Sequence, residues 1–186
     1  TPLFKDNTFE RLSAYAEKFG NKEELEYCEK YANNFNPDVS KGIFMVGRYG
    51  VGKTAILAAV CNELMINGHT CLFTTLSALL DKFSSYGFNN SGDITGLLMW
   101  LIKFDFIVLD DIGREAYTDK RQEIVFRIID TLMNYKKAVA FTANPEMIVR
   151  LKKMREWGAI LDRLKYLCPT KIEFNGESVR EQACTL

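Results

Sequence analysis

The sequence predicts an α/β fold, a central parallel five-stranded sheet flanked by helices. Three observations carry this prediction. Four short runs are apolar without alternation, GIFMVG (42–47), TCLFTT (70–75), FDFIVLDD (104–111) and AVAFTAN (138–144), as expected of strands covered on both faces. Stretches of helical periodicity separate them, the alternation of a doubly wound sheet. A glycine-rich loop joins the first run to the first of those helices. A fifth run, KIEF (171–174), is shorter and supplies the weakest strand.

Along the chain, residues 1–40 read as a helical lead-in and 41–186 as the core domain. After the glycine loop, Ile56, Val60 and Leu64 recur at a four-residue step and Gly68 marks the stop. The turn formers of SSYGFNNSGD (84–93) predict a loop. In Gln122–Tyr135, Val125, Ile128, Ile129 and Leu132 form one apolar stripe, with Arg127 off it. Beyond Lys152 the pattern becomes shorter and mostly helical, which predicts a small appendage on the sheet domain.

The chain has 186 residues, enough for one domain with a sizeable core. Its 24 basic and 24 acidic side chains cancel, so global charge argues for neither nucleic acid nor a membrane surface. A charged partner has to be met by a local patch. The five cysteines, Cys28, Cys61, Cys71, Cys168 and Cys184, include no CxxC pair, and His69 is the sole histidine. That excludes zinc-ligand spacing and reads as reduced thiols in a cytoplasmic protein. No apolar run approaches the ~20 residues of a membrane span. The chain opens on Thr1-Pro2 rather than Met, and is read as a piece of a longer protein.

The glycine loop, GRYGVGKT (47–54), fits the phosphate-binding pattern GxxxxGK[ST] in full, with a strand before it and a helix after it. Gly47, Gly50 and Gly52 permit close backbone approach, so that loop N–H groups, those of Tyr49, Val51 and Ala55 among them, meet phosphate oxygens at a helix N-terminus. Lys53 is placed to reach the β and γ phosphates of ATP, and the Thr54 hydroxyl to ligand Mg²⁺. The strand FIVLDD ends in the acids such a site needs. Asp110 is the second Mg²⁺ partner, and Asp111 is placed to orient or deprotonate the attacking water. Many ATPases carry Glu at that second position. Asp is shorter by roughly 1.5 Å, so slow hydrolysis is expected. Glu115 lies close enough in sequence to assist, though it reads as a surface charge.

Three further stretches, LDDIGRE (109–115), FTAN (141–144) and AILDRLK (159–165), stand with the loop in one order. Together they resemble bacterial replicative-helicase loaders of the DnaC/DnaI type, a branch of the AAA+ P-loop ATPases, from about Asn7 to Arg180. The resemblance implies an AAA+ core with a small or absent C-terminal lid. It makes Asn144 the sensor that contacts the γ-phosphate or the water. It makes Arg163 an arginine finger acting in trans on a neighbour's nucleotide, and puts Arg180 where a second sensor would bind ATP. NTFERL (7–12) is similar to the segment beside the adenine, with Phe9 facing either the base or the core. The partners implied are a hexameric DnaB-type replicative helicase, single-stranded DNA and further copies of the chain through the ATP site. The helicase-binding part of such loaders normally precedes the ATPase domain and has no room here.

Local signals for DNA are a basic pair, Lys136 and Lys137, the basic run RLKKMR (150–155) and the aromatics Tyr86 and Phe88; each reads equally as a solvated face or a packed ring. Three alternatives stay open. An IstB-type transposition ATPase shares these motifs but serves a transposase. A small-molecule P-loop kinase needs a lid and an acceptor pocket. A nucleotide-gated binding module hardly hydrolyses ATP.

Overall fold

The computed structural model describes residues 6–89, 94–113, 118–155 and 157–178, with backbone alone at Phe19 and 86–89. Its elements are α1 (Phe9–Phe19), α2 (Lys22–Asn33), β1 (Ile43–Gly47), α3 (Lys53–Ile66), β2 (Cys71–Thr75), α4 (Leu76–Asn89) and α5 (Thr95–Leu101). There follow β3 (Phe106–Ile112), α6 (Asp119–Asn134), β4 (Ala138–Ala143), α7 (Pro145–Lys153), α8 (Trp157–Leu167) and β5 (Thr170–Phe174). The five strands form one parallel sheet in the order β2-β3-β4-β1-β5, the five-stranded α/β sheet the sequence predicts.

The absence of alternation in the central strands has a direct cause. Phe106 and Val108 of β3, with Ala138 and Ala140 of β4, enter a core shared with α1, α2 and α3. Their neighbours Ile107, Leu109, Val139 and Phe141 enter a second core under α4 to α8. Successive strand side chains point to opposite faces, and both faces here are covered. The same reasoning explains α3, which is buried at Ile56, Leu57, Ala58, Ala59, Val60 and Cys61. It lies between the sheet and the pair α1–α2, so it has almost no solvent face over three turns.

Two expectations are corrected. The stretch 84–93 is not a loop throughout, because α4 runs to Asn89; residues 90–93 lie outside the described residues. The segment after Lys152 is not an appendage. Trp157, Ile160, Leu164 and Leu167 of α8 are buried in the core under α6, and β5 pairs with β1 from Ile43↔Thr170 to Gly47↔Phe174. The buried apolar positions of this segment are few and separated by short polar runs, which disguises their place in the core. No helix among the described residues is long and apolar enough to cross a membrane.

The starts of β2 and β3 are tied by one side chain. Asp105 Oδ2 accepts from Thr70 N at 2.8 Å and from Thr70 Oγ1 at 2.9 Å. Partial burial alone would push the Asp105 carboxyl up, but these two bonds, with the Lys137 charge, hold it below the usual carboxylate range. A carboxyl with a depressed folded pKa contributes stability above its unfolded value of about 3.9, and loses it as pH falls through the folded value. Asp105→Asn is therefore expected to lower Tm at pH 7 and to flatten the acid limb of the Tm–pH profile below about pH 4. An acid limb identical to that of the parent chain would show that this tie contributes nothing.

Candidate nucleotide site

The carboxyl ends of β1 and β3 open onto a cavity of about 560 Å³, in the crevice where open parallel sheets bind ligands. On one side is the loop between β1 and α3. Tyr49, Gly50, Val51, Gly52, Lys53, Thr54 and Ala55 all line the cavity. Gly52 has φ +98 and immediately precedes α3, a backbone state that L side chains avoid. Gly47 departs from its expected role. It does not line the cavity; a Cβ there would lie 2.6 Å from Phe174 Cβ and 2.9 Å from Phe174 O. Its small size serves the approach of β5, while its carbonyl accepts from Lys53 Nζ at 2.7 Å.

On the other side are Asp110 and Asp111. Neighbours on a regular strand point to opposite faces, yet both residues line this cavity. A bulge is the reason. Leu109 pairs with Phe141 and Ile112 with Ala143, so two residues of β3 stand against Thr142 alone. Asp111 takes the left-handed φ of +62 that makes the bulge, a conformation Asp tolerates better than most side chains. Thr142, 1% exposed, clasps it. Its hydroxyl donates to Asp110 Oδ1 at 2.6 Å and accepts from Asp111 N at 2.7 Å. Gly113 follows at φ +102, where a Cβ would lie 2.6 Å from Met147 Cβ of α7. The glycine of DDIG thus lets the chain leave the bulge against α7.

The two sides meet in direct contacts. Thr54 Oγ1 lies 3.0 Å from Asp110 Oδ2 and 3.3 Å from Oδ1. This hydroxyl–carboxylate pair is an all-oxygen donor set suited to a hard divalent cation such as Mg²⁺. Among the described residues no group of three or more His, Cys, Asp or Glu gathers to hold a metal, so such an ion would also need substrate and water oxygens. Lys53, 7% exposed, donates to Gly47 O, to Arg48 O at 2.8 Å and to Asn144 Oδ1 at 3.3 Å. Asn144 Nδ2 in turn reaches Asp111 Oδ1 at 3.4 Å. Asn144 opens α7 just before Pro145 but makes no capping bond with its side chain. Its amide is turned behind Lys53 and Asp111 instead.

The remaining sequence-predicted residues lie elsewhere. Arg163 does not line its own chain's cavity. Its Nε donates to Asp130 Oδ1 of α6 at 3.1 Å, its Nη1 to Ala159 O, and its guanidinium covers the Phe126 ring at 4.4 Å. The acid it pairs with is Asp130, one turn beyond Phe126 on α6, and not its chain neighbour Asp162. Phe9 is buried in the α1–α3 core; Leu12, Tyr15 and Ala16, one and two turns on, face the cavity. Arg180, Glu115 and Cys184 lie outside the described residues, as do the rings of Tyr86 and Phe88. Arg150, Lys152 and Lys153 stand exposed on α7 around buried Leu151.

Thr142 was not singled out from the sequence, although one signal existed. It is a hydroxyl in a strand whose other residues are Ala, Val and Phe, and a buried polar group needs a partner. Thr142→Val keeps the shape and removes both bonds. It is expected to cost about 1–3 kcal/mol of stability in chemical denaturation, while Thr142→Ser stays near the parent value. Equal stability of the Val and Ser variants would mean that the hydroxyl does not hold the bulge.

Comparison with known proteins agrees with this geometry. A family model described as IstB-like ATP binding protein matches residues 29–185. The replicative helicase loader DnaC of Escherichia coli (strain K12) is 26% identical over 181 residues, which are 97% of this chain and 72% of that protein. The crystal structure of the DnaC helicase loader superposes with a TM-score of 0.71 at 22% identity, over 83% of this chain and 90% of that one. The crystal structure of DnaI gives 0.67 at 25% identity, over 86% and 84%. The fold is that of an AAA+ P-loop ATPase.

Proposed function

This chain belongs to the family of IstB-like ATP binding proteins, and from that membership we propose that it is the ATP-hydrolysing domain of a replicative helicase loader. The observation that carries the reading is the facing of two elements across one cavity: the phosphate loop with Lys53 and Thr54, and the bulged pair Asp110–Asp111. Similarity to DnaC along nearly the whole chain supports the helicase as partner. The second reading, an IstB-type ATPase serving a transposase, is favoured by the description of the matching family model. No feature among the described residues favours a kinase reading.

ATP is bound with its phosphates on the loop amides and Lys53. Mg²⁺, held by Thr54 and Asp110, would neutralise charge on the β and γ phosphates. Asp111 accepts a proton from the water whose oxygen attacks the γ-phosphorus as the bond to the β–γ bridging oxygen breaks. Asn144 holds Asp111 and Lys53 in register. Arg163 completes the site of a neighbouring copy, and to do so it must exchange Asp130 for phosphate oxygens. A single copy is then an incomplete enzyme, and turnover accompanies assembly on single-stranded DNA, with the exposed basic face of α7 tracking its backbone. Hydrolysis loosens the shared interface and releases the loader in the cytoplasm.

Complementation tests this reading. Lys53→Ala should lose ATP binding, and Arg163→Ala should keep binding but lose turnover by ~10³-fold. Each alone is inactive; mixed, they should recover turnover, because the first supplies Arg163 to the second's intact nucleotide. Parent-like turnover by Arg163→Ala, or a mixture as inactive as its parts, would overturn the shared site. Adding a DnaB-type helicase or a transposase to the parent chain then separates the two readings by which one changes turnover.

A further inference from the structure

The corner between α1 and α2 holds a side chain that the machinery above does not use. Asn21 is 3% exposed and lines the nucleotide cavity. It stands at the N-cap of α2, where an Asn side chain ordinarily accepts from a first-turn N–H. Here it makes no capping bond. Its Nδ2 instead donates to Val51 O in the phosphate loop at 3.0 Å. Its Oδ1 is buried with no hydrogen-bond partner among the described residues. A buried acceptor left without a partner costs free energy, and a capping bond to α2 has been given up as well. Two local costs at one residue need a compensating role.

The backbone of Asn21 supplies the rest of the argument. Its N–H closes α1 through Ala16 O at 2.9 Å, and its carbonyl accepts from Leu25 N at 3.1 Å to open α2. Ala16 and Leu25 both line the cavity, with Leu12 and Tyr15 of α1. One residue therefore joins the apolar wall of the cavity, on α1 and α2, to the loop that faces the phosphates. We propose that Asn21 is a positioning residue for the nucleotide. Through Val51 O it sets the spacing between the wall that packs the base and the loop amides that hold the phosphates. This rests on the reading of the cavity as an ATP site.

Substitutions separate this role from capping. Ser and Asp cap helices as well as Asn does, but Ser is too short to reach Val51 O and Asp carries no donor. Calorimetric titration of the parent chain, Asn21→Ser and Asn21→Asp with ATP and Mg²⁺ is the test, with Tm measured without nucleotide. The expected result is a Tm near that of the parent in Asn21→Ser, where a regained cap offsets the lost bond to Val51 O, with Kd weakened roughly fivefold to tenfold, the loss of about one hydrogen bond. Asn21→Asp should weaken binding at least as much and also lower Tm, since it buries a carboxylate against Val51 O. Parent-like Kd in Asn21→Ser would overturn the proposal, as would a fall in that variant's Tm large enough to account for its loss of binding. Failure of the parent chain itself to bind ATP would sink the ATP reading instead, so the two failures are distinguishable.

Discussion

The chemistry of this chain depends on one hydroxyl in the sheet. Strand periodicity sends adjacent side chains to opposite faces, so the pair Asp110–Asp111 cannot serve one cavity from a regular strand. The bulge that turns both toward it leaves Asp111 at a positive φ, a conformation that costs a non-glycine residue free energy. Thr142 offsets that cost from the neighbouring strand, donating to one aspartate and accepting from the backbone of the next. With the carboxylates set, Thr54 has its partner, Asn144 has a carboxylate to hold, and Gly113 can leave against α7.

Two asparagines show the same preference for the site over local structure. Asn21 and Asn144 both begin helices, and neither uses its side chain as a cap. One amide braces the phosphate loop, and the other bridges Lys53 and Asp111. Arg163 is the counterpart at a distance. Its ion pair with Asp130 and its stacking on Phe126 anchor α8 to α6 within one chain. A guanidinium about one-quarter exposed at its side chain is still within reach of solvent.

Much of this was legible in the residues. The strands declared themselves because both faces are covered, and the phosphate loop because its glycines, lysine and threonine stand at fixed spacing between a strand and a helix. What was not legible has physical reasons. A bulge is a property of the pairing of two strands, and DD reads the same with or without one. Asn21 acts on the carbonyl of Val51, and backbone partners leave no mark in sequence. Gly47 fits the loop pattern, but its missing Cβ makes room for Phe174, a contact 127 positions on that no local reading contains. The segment after Lys152 read as an appendage because KIEF is short and α8 polar on its outer face, although both complete the core.

The measurement that tests the account most directly is Mg²⁺ dependence of ATP binding, read by calorimetry for the parent chain and for Asp110→Asn. If Thr54 and the bulged Asp110 form one oxygen site for the ion, the parent should bind ATP more tightly with Mg²⁺ than with a chelator present. Asp110→Asn should bind ATP about equally in both. A variant that keeps the full Mg²⁺ effect would contradict the assignment, and the bulge would then have to serve something other than the metal-bound nucleotide.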